Sequence, residues 1–483
     1  MVESQGILEL ALSGLIVVGV GIYLVGKVRS GRGIGVMDVT LGMCGLFFGL
    51  GPWGAFIYGG GRLPEVEGDI LMWTYGGIYL FIMGVYIGGR LSARKTAAGE
   101  ETEDADEAGL MAAVQRVDWA STKVMGGCYG LVWGMRLLLG VKYGMFFSGT
   151  SSLERVTAVP YPVTVANMLL QVAAWGCLLY SCIIIWRGRS KQGLPWVILV
   201  MEILWAFVKG RRPIFSIVIF SIVVFLAHRH RLKLRHGLGL ILTGAVLLGW
   251  IYPLFMTIRS EYAYSDPYGT ALGRFVETAQ EAIPQQDQEE TYDNLESHYR
   301  ENMAQRFIAT IRFNGNILEG QRNHPLMWGE AMWSTFVWNV PSILYPGKLS
   351  MQAPEQLIQD YYDLSYEDAA SSWPGYGCAD FGVLGAGLAG VLMGLVMGLL
   401  ENRIRGLMER YPFVGLCLAG GLVNIAVTVE SSPNKLWGFI RSMIIIYVMA
   451  RVVSELIPRK RYEHNIAQDD MEEMAQSGRV HEA

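Results

Sequence analysis

The chain has 483 residues, 52% of them hydrophobic and only 17% charged, with 59 glycines and a net charge of −4. That is too apolar and too charge-poor for a soluble enzyme of this length, and it indicates a polytopic membrane protein with no call for a nucleic-acid partner. The apolar runs are continuous rather than alternating, which excludes a membrane β-barrel.

In chain order, apolar runs read against breakers predict an all-α integral membrane protein of about eleven transmembrane helices, between about 10 and 12. They fall near residues 5–26, 36–58, 70–89, 119–140, 163–186, 194–208, 213–227, 237–257, 379–400, 411–430 and 437–454. The cations Lys27, Arg29 and Arg32 follow the first run instead of preceding it, so it reads as a retained span with its N-terminus outside. The segments KVRSGR, RLSARK, WRGRSK, HRHRLKLRH, ENRIRGLMER and RKR all fall on one side of such a bundle, which is therefore cytoplasmic. Four regions follow. Residues 1–257 form a membrane bundle of about eight spans with an acidic cytoplasmic linker at 96–110. Residues 258–378 form a large outer loop, 379–454 the last spans, and 455–483 a disordered cytoplasmic tail.

Against this pattern, WAFVKGRRPIF (205–215) places Lys209, Arg211 and Arg212 at an outward turn. The flanking spans have about 15 residues each, roughly 22 Å of helix, so the turn is recessed below the outer surface. Cations held that deep cost about 2.5 to 3.5 kcal/mol each. Two readings stand: the side chains snorkel to phospholipid headgroups, or they hold a phosphate or pyrophosphate. Arg136, Lys142, Arg259, Lys435 and Arg441 are further outward cations.

The outer loop opens on a polar, acidic stretch and then turns apolar. RFIATIRFNGNILEG (306–320) has helical apolar spacing and is expected to lie with one face against the membrane. MWGEAMWSTFVWNVPSILYPGK (327–348) carries Trp328, Trp333, Trp338 and Tyr345, which suit an interfacial belt or a platform for sugar rings. His324, Glu330 and Lys348 lie among them, and Asp380 stands at the mouth of the next span. The glycines at 390, 394 and 398 recur every four residues, as close helix packing requires. Five cysteines lie in apolar runs and Cys378 lies at a loop end, so no disulfide framework is expected. No Cys/His cluster has ligand spacing, so neither a metal nor a cofactor is expected.

NVPSILYPGK (339–348), GYGCADFGVLGA (375–386) and the basic turn GRRP (210–213), with the long late loop, resemble the bacterial O-antigen polymerase and oligosaccharide repeat unit polymerase family. The resemblance is best from about 194 to 400. It implies a metal-independent glycosyltransferase of GT-C-like architecture in the bacterial inner membrane, with its large loop periplasmic. The activity implied is transfer of an undecaprenyl-pyrophosphate-linked glycan to the non-reducing end of another lipid-linked repeat. Membrane lipids, a chain-length regulator and a flippase are partners compatible with it. On this reading Arg211, Arg212 and Arg259, supported by Lys209, Arg136 and Arg441, hold the pyrophosphate and stabilise the charge that develops on it. Trp333, Trp338, Tyr345 and Lys348 would contact glycan. His324, Glu330 and Asp380 are the candidates for the base that takes the acceptor proton. A ligase-like transferase to another acceptor shares these features. A transporter or flippase of lipid-linked sugar is the alternative from another class, and Glu202 is the carboxylate deep in a span that would serve it.

Overall fold

The computed structural model describes residues 2–29, 35–59, 63, 67–97, 122–143, 160–186, 193–209, 305, 307–342, 344–364 and 371–456. Among these residues the protein is all-helical, and five helices are long and apolar enough to cross a membrane. It is an all-α membrane protein.

The helices are α1 (Val2–Arg29), α2 (Val36–Tyr58, with a π-turn at Gly45–Leu50), α3 (Gly68–Ala97), α4 (Thr122–Tyr143), α5 (Tyr161–Trp186) and α6 (Gly193–Lys209). After these come α7 (307–320), α8 (Glu330–Asn339), α9 (Pro354–Tyr361), α10 (Trp373–Arg410), α11 (Pro412–Val427) and α12 (Asn434–Leu456). The expected spans at 5–26, 36–58, 70–89 and 163–186 match four of the five long apolar helices. Those at 213–227 and 237–257 lie outside the described residues, as does the polar start of the loop.

The expected 379–400 span differs most from what is found. Helix α10 begins earlier, at Trp373, and is broken at Phe381 and Gly382, the latter at φ +64. In an unbroken helix Gly377 and Gly385 would be about 12 Å apart. Here a Cβ on Gly385 would collide with the Gly377 carbonyl oxygen, so the segment before the break folds back against the segment after it. Only glycine takes the left-handed turn and the close approach without strain. Every residue from 371 to 380 is buried, so this stretch is packed into the protein.

Past the break, α10 packs on α3 through glycine faces. A Cβ at Gly390 or Gly394 would strike the Phe81 or Val85 carbonyl oxygen, which gives the four-residue glycine repeat its physical reason. Helix α7 is set deeper than an interfacial helix with one buried face. Ile308, Ile311, Phe313, Asn314 and Ile317 are all buried, and its Arg312 donates to Glu9 of α1 at 2.7 Å. A satellite apolar cluster, including Met125, Tyr129, Leu179 and Ile198, joins α4, α5 and α6 and reaches the bundle through Leu416 of α11.

Candidate functional site

Helix α8 organises the site. Its N-terminus is entered through two left-handed residues, Trp328 (φ +52) and Gly329 (φ +97). A non-glycine residue in that conformation costs about 1–2 kcal/mol and persists only where neighbours fix it. The Trp328 N–H donates to the Asp380 carbonyl at 3.1 Å, and its ring meets Phe381 edge-on at 6.1 Å. The Asp380 carboxylate, 0% exposed, accepts from the N–H groups of Ala331 (2.8 Å) and Met332 (2.9 Å). It therefore caps α8 from a distant element, supplying negative charge where the helix dipole is positive.

The break in α10 leaves carbonyls without helical partners, and the loop satisfies them. Gln321 Nε2 donates to Cys378 O (2.6 Å), and Met327 N–H (3.1 Å) and the Tyr362 hydroxyl (2.8 Å) donate to Ala379 O. Helix interruptions at membrane depth are tolerated only when such groups are met.

The C-terminus of α8 is complemented by cations. Lys348 Nζ donates to the carbonyls of Val340 (2.5 Å) and Trp338 (3.2 Å), and Arg441 Nη1 to that of Asn339 (3.2 Å). Its Nη2 lies 3.1 Å from Met168 Sδ. The two cations come from the loop and from α12, 93 positions apart, yet both converge on the negative end of one helix. Among the described residues no carboxylate pairs with either. Burial and the neighbouring Arg441 push the Lys348 ammonium below its ordinary pKa. The half-charge of a helix terminus is less than the charge of the two cations that meet it. Asn434 accepts from Asn339 there at 3.2 Å, and Trp437 Nε1 donates to Thr335 at 3.2 Å. Exposed Trp333 and Phe336 continue outward from Trp437, with ring centroids 5.3 and 5.5 Å apart in succession. Tyr345 is exposed and Trp338 half-buried.

The remaining predicted residues lie elsewhere. His324 sits near the N-terminal end of α8, with Nε2 3.1 Å from Asp363 Oδ2 and its ring edge-on to Tyr362. Glu330 is exposed on the first turn of α8. The acid–base candidates thus gather at one end of a ten-residue helix and the cations at the other, about 15 Å away. Arg136 is 2% exposed, and its guanidinium is engaged by Glu202 Oε1 (2.7 Å), by Gln171 Oε1 (3.1 Å) and by the face of Trp205 at 5.2 Å. Lys209 is the last residue of α6, while Arg211, Arg212 and Arg259 lie outside the described residues. Among the described residues no group of three or more His, Cys, Asp or Glu is arranged to hold a metal ion.

Sequence reasoning missed two groups. Asn339 and Asn434 are ordinary polar residues in sequence, and only their contact makes them part of the basic corner. Glu430, 6% exposed on the turn that leads to Asn434, is the buried carboxylate of that stretch. Its signal was a lone acid between two apolar runs.

Comparison with known proteins adds no neighbour: no family model, no curated protein and no solved structure matches the chain.

Proposed function

We propose that the protein is a membrane-embedded glycosyltransferase that transfers an undecaprenyl-pyrophosphate-linked glycan onto the non-reducing end of a second lipid-linked repeat. On this reading the reaction takes place at the outer face of a bacterial inner membrane, with the loop periplasmic and the C-terminus cytoplasmic. The observation that carries the proposal is the pair of Lys348 and Arg441, which no carboxylate among the described residues pairs with, set against Asn339 and Asn434 beside exposed aromatic rings. Two fixed cations suit a pyrophosphate, and they stabilise most the charge that grows on it as the anomeric carbon–oxygen bond breaks.

Geometry limits the roles. A base must come within about 3 Å of the acceptor hydroxyl, and that hydroxyl within about 3–3.5 Å of the anomeric carbon. A donor seated on Lys348 and Arg441 therefore reacts out of reach of His324, Glu330 and Asp380 at the other end of α8. Asp380 is proposed as a positioning residue that fixes α8, and Glu430 as the carboxylate to test for proton transfer.

One observation favours a transport reading: the break in α10 resembles the discontinuous helices that coordinate ions in transporters. Its carbonyls, however, already accept from Gln321, Met327, Trp328 and Tyr362, so the break is satisfied by the protein without calling for an ion. Reconstitution with a defined undecaprenyl-pyrophosphate oligosaccharide tests the proposal. A ladder of products with release of lipid pyrophosphate supports it. No product until another acceptor is added would make the protein a ligase, and glycan movement across the bilayer without bond cleavage would make it a transporter.

A further inference from the structure

Helix α8 is built inside out for a helix in water. Its inward positions are Ala331, Ser334, Thr335 and Val337, three of them small or polar, and its outward face carries Trp333 and Phe336 after the exposed Glu330 of the first turn. The inward hydroxyls are satisfied, Ser334 donating to Ala331 O and Thr335 to Met332 O, each at 2.7 Å. A surface helix of a soluble domain shows the reverse pattern, whereas small residues inside and large apolar ones outside mark packing within a bilayer. The outward apolar surface also extends beyond the helix. Trp328 is 73% exposed, Leu344 75% and Trp333 63%, and Tyr345 and Phe381 are exposed beside them.

The length of α10 fixes the level of this surface. The 20 residues 381–400 carry no charge and lie between Asp380 and Glu401. Past the break at Phe381 and Gly382, residues 383–400 rise about 27 Å at 1.5 Å per residue, close to the thickness of a hydrocarbon core. One edge of the core therefore falls at Phe381, the ring against which Trp328 packs. The exposed face of α10 continues from there through Leu384 and Leu388, so the aromatic surface is contiguous with a face that meets acyl chains. An apolar surface of this extent is costly in water, and tryptophan and tyrosine suit the level where chains give way to headgroups.

We infer that α8 is an interfacial helix whose outward rings, with Trp328, Leu344, Tyr345 and Phe381, are immersed in the bilayer's own phospholipids at the boundary between acyl chains and headgroups. The inference is independent of the transferase reading. It has a consequence for Lys348 and Arg441, which cap the same helix and so lie near the depth of the lipid phosphates.

Site-directed nitroxide labelling tests it in nanodiscs of phosphatidylethanolamine and phosphatidylglycerol. The variants are Trp333→Cys, Phe336→Cys and Leu344→Cys, with Gln356→Cys on α9 as a water-exposed reference and the parent chain's own labelling subtracted. Expected is a ratio of oxygen to nickel-chelate collision severalfold higher at 333, 336 and 344 than at 356. Ratios equal to that at 356 would overturn the inference, because the face would then be in water. Exclusion of both reagents would overturn it too, since protein would then cover the face. Three labelled positions keep the test decisive if one variant fails to fold.

Discussion

Arg136 and Arg441 were equivalent in sequence, both cations at the outer ends of apolar runs, and their surroundings separate them. Arg136 is neutralised by Glu202, held by Gln171 and stacked on Trp205, so its charge is spent inside the α4–α5–α6 unit. Among the described residues Arg441 and Lys348 meet only carbonyls and a thioether, and on the proposed reading their charge serves a ligand. A cation near a membrane surface marks an anion site only when no carboxylate already answers it.

Removing one member of the neutralised pair gives the largest expected effect. Arg136→Ala or Glu202→Ala leaves an uncompensated buried charge and costs about 3–5 kcal/mol. The double change Arg136→Met with Glu202→Leu regains most of it, read from thermal unfolding in detergent. A single change without effect would mean that the pair is not formed. Next comes the clamp on α8: Asp380→Ala loses two charge-assisted bonds at about 1.5–3 kcal/mol each and speeds proteolysis between 321 and 345, while Asp380→Asn, which keeps an acceptor, loses less. Equal cleavage rates for both variants and the parent would refute the clamp.

At Lys348 and Arg441 the balance reverses. Lys348→Gln or Arg441→Gln costs only about 1 kcal/mol of stability through the helix dipole. Each weakens pyrophosphate binding about 10- to 100-fold, the worth of a charged hydrogen bond, as titration calorimetry would measure. A large fall in stability with unchanged affinity would make these residues purely structural. The smallest effect is on pH dependence. The Lys348 pKa is lowered by burial and Arg441, and only the ammonium form attracts an anion, so affinity is full below that pKa and declines as pH rises through it. The decline comes at lower pH than for an ordinary lysine. Lys348→Arg, which does not titrate in this range, flattens the profile.

The five long apolar helices were legible because a span announces itself over about 20 local residues. The break in α10 was not, since Phe381 and Gly382 sit inside an apolar run and only the fold-back of Gly377 on Gly385 reveals it. Asp380 read as a candidate base because its partners are backbone N–H groups 48 and 49 positions away, which have no side-chain signature. The Arg136–Glu202 pair was within reach, because two opposite charges in apolar runs are expected to find each other. The glycines at 390 and 394 foretold a close approach but not the carbonyls of Phe81 and Val85 that they meet.

The central claim, that Lys348 and Arg441 form the pyrophosphate site, is tested most directly by calorimetric titration of the purified protein with a soluble short-chain prenyl pyrophosphate. The account predicts binding by the parent chain, an unchanged affinity in the Arg136→Met/Glu202→Leu double variant, and loss of binding in Lys348→Gln/Arg441→Gln with the fold retained. Undiminished binding by that last variant would contradict it.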